Sequence, residues 1–266
     1  MLKITSRDNQ RLKHAKRVRD GLIEDSIFIE GLRLAEEVLR SNLKTSEVFF
    51  TESFAESERG QALLCKYENH NLAQVSDKIF DSLSDTKNAQ GIIVICEKPE
   101  TDKNFVGINL FEPTKLPLVI LLHRINNPSN LGAILRSSEA VNVAGVILTK
   151  DSADVFSPKA LRGAMGASLR LPIWTGTDFS EILDWAKAKN LVSVCADVNA
   201  KKSYLKINWK KPHLLIFGSE AHGLSADERA KINESLLIPM VNEVESLNLA
   251  VSCGVILFEA KRQMSL

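Results

Sequence analysis

The sequence predicts an α/β protein in two parts. A small N-terminal α/β domain spans 1–98, a linker spans 99–117, and a larger domain with a mostly parallel sheet spans 118–266. Three observations predict this. Short apolar runs alternate with helix-spaced apolar residues along almost the whole chain. The stretch from Pro99 to Pro117 interrupts them with three prolines, two charged clusters and weak periodicity. From Leu118 the alternation resumes with longer, continuously apolar runs, as in strands buried on both faces.

In chain order, Ile27-Phe28-Ile29, Val48-Phe49-Phe50 and Ile92-Ile93-Val94-Ile95 are the first strand candidates. Between them Leu32, Leu34, Ala35, Val38 and Leu39 have helical spacing, and Glu58 to Asn69 is a weaker helical stretch. The second part offers strands at Leu118–Leu122, Gly145–Leu148, Leu191–Cys195 and Leu214–Phe217. Its helices are expected at Asn130–Val141, Asp178–Lys189, Ala226–Ile232 and Ser246–Arg262. The last is apolar almost all round, so it must be covered on several sides, a subunit interface being one way to do so. The chain shows neither an internal repeat nor a low-complexity tract.

The chain has 266 residues, a net charge of +1, 44% apolar and 25% charged residues, which fits a soluble globular protein. Collagen-like, disulfide-scaffold and wholly disordered chains are excluded. No apolar run reaches the roughly 18 residues of a membrane span. The first twenty residues lack the apolar segment of a signal peptide, so a cytoplasmic protein is expected. Cys65, Cys96, Cys195 and Cys253 lie far apart with no metal-ligand spacing, and no metal is expected.

Charge is uneven. Residues 1–20 carry seven Lys/Arg against Asp8 and Asp20, which suits either a polyanion or a solvated helix face. A second basic stretch, Lys201, Lys202, Lys206, Lys210 and Lys211, has no acid between its members and reads by itself as an exposed loop.

An open α/β sheet binds ligands at the carboxyl ends of its strands. The GxGxxG, GxxxxGK[ST] and GxSxG fingerprints are missing, which disfavours dinucleotide, P-loop and simple hydrolase readings. Three polar segments remain. Asn127-Pro128-Ser129-Asn130-Leu131-Gly132 opens a helix whose apolar face excludes Arg136, leaving that side chain for a cleft or for solvent. Locally this is also an Asn/Ser cap followed by a surface arginine. Phe217-Gly218-Ser219-Glu220-Ala221-His222-Gly223-Leu224-Ser225 follows a strand, with glycines that allow backbone near a ligand, Glu220 at the strand end and Ser225 as a cap. His222 reads as an exposed loop residue. Ile238-Pro239-Met240 and Ser246-Leu247-Asn248 precede the last helix, where Ser246 and Asn248 could cap it, contact a ligand, or both. Cys253 reads as a small buried residue rather than a nucleophile.

Together, in this order and spacing, the three segments resemble the motifs of the SpoU/TrmH family of RNA ribose 2′-O-methyltransferases, in the SPOUT superfamily. Ser157-Pro158-Lys159, Arg162, Gly166 and Leu171-Pro172 are similar to the family's segment between its first two motifs. Phe28-Ile29-Glu30-Gly31 followed by Arg33 resembles the entry of an N-terminal ribosomal-protein-like RNA-binding domain. The resemblance implies a SPOUT α/β-knot fold with a deep trefoil knot, a homodimer, and S-adenosylmethionine as cofactor. It implies catalytic roles for Arg136, Asn130, Glu220, Ser246 and Asn248, with Asn130 holding Arg136 in place. Phe217, Gly218, Ser219, Gly223, Ile238, Met240, Ser246 and Leu247 would hold the cofactor. Arg7, Arg11, Arg17, Arg33 and Arg162 would contact RNA phosphates. Asn142, Ala221 and Asn242 depart from positions where the family often has glycine, and Asn127 from one often held by aspartate. Adjusted loop geometry is expected there rather than lost chemistry.

The expected reaction is methyl transfer to a ribose 2′-OH, most simply of 23S-type ribosomal RNA. Arginine's pKa is above about 12, so Arg136 suits phosphate binding and alkoxide stabilisation better than proton removal. The alternatives are a ribosome-assembly factor with little activity, a tRNA 2′-O-methyltransferase, and a base-directed methyltransferase.

Overall fold

The structure is a computed structural model. It describes every residue except Met1, Ile108, Asn109, Phe111, Pro113, Glu243 and Leu266. Four of these fall in the expected linker, and that part of the expectation lies outside the described residues. The chain packs as two units, Met1–Glu100 with Val155–Arg170, and Thr101–Asp154 with Leu171–Leu266.

The first unit contains β1 (Leu2–Ile4), α1 (Gln10–Arg19), β2 (Ser26–Glu30), α2 (Leu32–Arg40), β3 (Thr45–Thr51), α3 (Glu52–Glu56), α4 (Glu58–Lys66), β4 (Leu72–Val75), α5 (Asp77–Leu83) and β5 (Ile92–Glu97). Its sheet runs β1-β4-β3-β5-β2. The first three are parallel, and β5 is antiparallel to both of its neighbours. Leu12, Ala15 and Val18 of α1 and Ile79, Phe80 and Leu83 of α5 form one core with Phe28, Phe49, Ile93 and Ile95. The basic N-terminal segment is thus an amphipathic helix. Lys16, Arg17 and Arg19 sit in its last turn, where positive charge offsets the helix dipole. Leu34, Ala35 and Val38 of α2 are buried, and the Tyr67 hydroxyl donates to Ala35 O at 2.7 Å.

The second unit holds β6 (Leu116–Leu122), α6 (Pro128–Ala140), β7 (Val143–Thr149), β8 (Ile173–Thr177), α8 (Phe179–Ala188), β9 (Val192–Ala196), β10 (His213–Phe217), α9 (Ala226–Arg229), β11 (Glu234–Leu236) and α10 (Leu249–Met264). The helix between β7 and β8, α7 (Pro158–Ala164), belongs to the first unit. All six strands are parallel, in the order β11-β9-β10-β6-β7-β8. Every residue of β6, β7 and β10 is buried, as their unbroken apolar runs predict. The strand sequence changes direction between β6 and β10, which leaves a crevice at the carboxyl ends of the central strands.

Several expectations are corrected. The segment before β6 is not a free linker, because Val106 and Leu110 are buried in the core of the second unit. Val106 packs on Gly145, where a Cβ would lie 2.6 Å from Val106 Cγ1. The last helix begins at Leu249 rather than Ser246, because Asn248 caps it. The helix expected over Ala226–Ile232 stops at Arg229. Strands β1, β4, β8 and β11 had no sequence signal. Apart from β4 they are edge strands, and β4, β8 and β11 have partly exposed residues that blur the apolar pattern.

Candidate active site

The carboxyl ends of β9, β10 and β11 and the start of α10 enclose a cavity of about 550 Å³. This lies in the range of about 300–1,000 Å³ typical of small-molecule sites. All eight residues expected to hold a cofactor line it: Phe217, Gly218, Ser219, Gly223, Ile238, Met240, Ser246 and Leu247. Asn130, Glu220 and Asn248 line it as well, while Arg136 is exposed and does not.

The loop after β10 is shaped by two glycines. A Cβ on Gly218 would stand 2.4 Å from the Gly223 carbonyl carbon, so only glycine lets the two backbones meet. Gly223 sits at φ +63° and its N–H donates to Ser219 O at 2.9 Å, which closes the turn. Ser225 then caps α9 in a reciprocal pair with Glu228.

Three polar side chains join the three motif segments in one directed chain. The Asn248 Oδ1 caps α10 by accepting from Ala250 and Val251 N–H. Its Nδ2 is then left to donate, and does so to Asn130 Oδ1 at 3.0 Å. Asn130 Nδ2 donates in turn to Glu220 Oε1 at 3.3 Å. A carboxylate only accepts, so it fixes the sense of both amides. Glu220 also accepts from Asn126 and Asn127 N–H, just before α6, at 3.3 and 3.4 Å. Glu220 is exposed rather than buried, and its partners orient it rather than compensate burial. Asn130 makes no bond to Arg136. Six positions apart, the two point to different sides of α6.

His123 is buried just past the end of β6. Its Nε2 lies 2.9 Å from Glu228 Oε1, and its Nδ1 has no partner among the described residues. Burial lowers its pKa below the ordinary 6.5 against the pull of Glu228, so the ring is held neutral. Burial would raise the Glu228 carboxyl, but Ser225 and His123 together hold it below the usual range. Arg124, at φ +56°, also reaches Glu228 at 3.4 Å. Cys253 is fully buried and burial pushes its thiol pKa up, as suits a packing residue.

Asn142 and Asn242 stand in the left-handed region, both at φ +59°. Asparagine is among the few side chains that tolerate it, so these departures preserve the backbone that glycine would supply. Of the expected RNA contacts, Arg17 and Arg33 are exposed. Arg7 donates to Lys78 O, Arg11 grips Glu47, and Arg162 pairs with Asp85 at 2.8 Å. Sequence reasoning missed Ala196, Asp197, Val198 and Asn199, which follow β9 and line the cavity. Their one signal is position, just past the apolar run Leu191–Cys195 at the same sheet edge. Among the described residues no group of acidic, His or Cys side chains could hold a metal ion, and no helix is long and apolar enough to cross a membrane.

Residues 117–258 match the model of the SpoU rRNA methylase family, and residues 9–94 that of the MRM3-like substrate binding domain. A 23S rRNA (guanosine-2′-O-)-methyltransferase of Coxiella burnetii, RlmB, is 32% identical over 185 residues, covering 69% of this chain and 74% of that protein. A crystal structure of an RNA 2′-O ribose methyltransferase matches with TM-score 0.82 and 28% identity, covering all of both chains. A Sinorhizobium meliloti rRNA methyltransferase with bound AdoMet matches with TM-score 0.80 and 26% identity, covering 98% and 97% of the two chains.

Proposed function

Because this chain belongs to the SpoU rRNA methylase family, we propose that it transfers a methyl group from S-adenosylmethionine to a ribose 2′-OH of RNA, most simply 23S-type ribosomal RNA in the cytoplasm. The observation that carries this is the single cavity where all three motif segments meet, joined by Glu220, Asn130 and Asn248.

The cavity suits the cofactor by shape and chemistry. It pairs an apolar wall of Phe217, Ile238, Met240 and Leu247 with polar groups of Ser219 and Ser246. S-adenosylmethionine, when bound, supplies an electrophilic methyl on a sulfonium, which is a good leaving group. The protein's task is then mainly positioning. Glu220, Asn130 and Asn248 fix the start of α6 and of α10 relative to the loop after β10. Arg136, exposed on α6, binds the phosphate beside the target ribose and stabilises the alkoxide developing at O2′. The departing proton goes to that phosphate or to water.

The reading includes a trefoil knot and a homodimer. The insertion of β10 between β9 and β6, with α10 packed on α6, supports the knot, and an experimental chain trace through 190–264 checks it. Val251 and Phe258 are 52% and 56% exposed on α10, beside half-buried Val255, at spacings that form one apolar stripe. Phe258→Asp should weaken self-association at least about 30-fold, as loss of an interface anchor does. Sedimentation at micromolar protein would then show a monomer, and an unchanged dimer would place the interface elsewhere.

The function is tested with methyl-labelled cofactor and large-subunit rRNA transcribed without modifications. After alkaline digestion, label should remain in a resistant dinucleotide, because a 2′-O-methyl blocks cleavage of the next linkage. Label in mononucleotides would instead mean base methylation, and no label would favour an assembly role.

A further inference from the structure

The lysine-rich segment between β9 and β10 has no part in the site described so far. Lys201, Lys202, Lys206, Lys210 and Lys211 are all exposed. Lys202 pairs with Glu234, but the other four have no ion pair or side-chain hydrogen bond among the described residues. The contrast with the arginines is direct, since Arg11, Arg162, Arg229 and Arg262 each face a carboxylate.

The segment is also held in place. Ile207 and Trp209 are buried, and the Trp209 indole N–H donates to Tyr204 O at 3.2 Å. Gln263 of α10 accepts from Trp209 N–H and donates to Ile207 O. Leu237 N–H donates to Lys202 O and Leu237 O accepts from Tyr204 N–H, which ties the segment to the chain leaving β11. It starts two residues after Asn199, which lines the cavity. The fold therefore presents four unneutralised cations on a pinned loop that begins at the rim of the methyl-transfer cavity.

We infer that this loop binds the phosphate backbone of the substrate RNA and guides it to the cavity, as a contact surface within the methylase unit itself. The inference rests on the RNA methyltransferase reading. Lysines act as point charges without the planar fork that reads bases or clamps a phosphate, so the contact is independent of sequence. Each phosphate neutralised adds about 0.7–0.9 to the salt slope of binding.

The test substitutes K201Q, K206Q, K210Q and K211Q together in the full chain. Binding to unmodified large-subunit rRNA transcript is followed across a salt series, with cofactor affinity and thermal unfolding measured alongside. The salt slope should become shallower by about 3, and affinity at low salt should fall about tenfold or more. Cofactor affinity and unfolding should hold, and K201R, K206R, K210R and K211R together should bind like the unsubstituted chain. An unchanged slope with normal binding by the unsubstituted chain would overturn the inference and leave the loop to an acidic protein partner. Failure of the unsubstituted chain to bind rRNA would overturn the substrate reading itself.

Discussion

Arg136→Ala should lower methyl transfer about 10²–10³-fold, the range seen when one preorganised donor to a developing oxyanion is lost. Cofactor affinity should stay, because Arg136 does not line the cavity. Folding should also stay, because the side chain is exposed on α6 while Leu131, Ile134 and Leu135 carry the packing. Arg136→Lys should recover little, since an ammonium keeps the charge but not the two-pronged geometry. The measurement is single-turnover transfer at saturating cofactor and RNA. Near-normal turnover in Arg136→Lys would remove the guanidinium from the mechanism and leave only a charge.

Asn130→Asp should be nearly as damaging, through a different route. The new carboxylate can still accept from Asn248, but it replaces the donor that faces Glu220. Two carboxylates then stand at hydrogen-bond distance, and one of them is driven toward its protonated form. With α6 and the loop after β10 pushed apart, misplacement by about 1 Å costs about 10²-fold in rate. The signature is in pH. Relative to the unsubstituted enzyme, Asn130→Asp should regain activity as pH falls from 7 toward 5, because one shared proton restores a donor. The pair Asn130→Asp with Glu220→Gln should recover activity at neutral pH, because the amide now donates in the reverse sense. A pH-independent loss with no recovery in the double variant would reduce Asn130 to a packing role.

Much of this site is legible in the sequence because its parts are local. Asn127 and Ser225 are caps recognisable from the residues that follow them, and each accepts the bond that a cap accepts. The continuous apolar runs of β6 and β10 announce buried central strands. What was hidden is long-range. Nothing near Arg11 indicates that Glu47 will take its guanidinium, since that pairing depends on where β3 falls in the sheet. The exposure of Glu220 depends on how the start of α6 meets it. Asp197 and Val198 line the cavity only because β9 lies between β10 and β11, and β11 is three residues long with little pattern of its own.

The allegiance of α7 bears on how such proteins can be recombined. Ala160, Leu161 and Ala164 bury themselves in the unit that contains β2, although the chain on both sides of Val155–Arg170 belongs to the other unit. A cut at residue 100 would leave the downstream half carrying a helix whose apolar face has nothing to cover it. It would also leave Asp85 and Arg162 on separate polypeptides. The two halves are therefore not cassettes with one breakpoint. A graft that exchanges the substrate-recognition half for a relative's must bring that relative's counterpart of Val155–Arg170 with it, through two further crossovers.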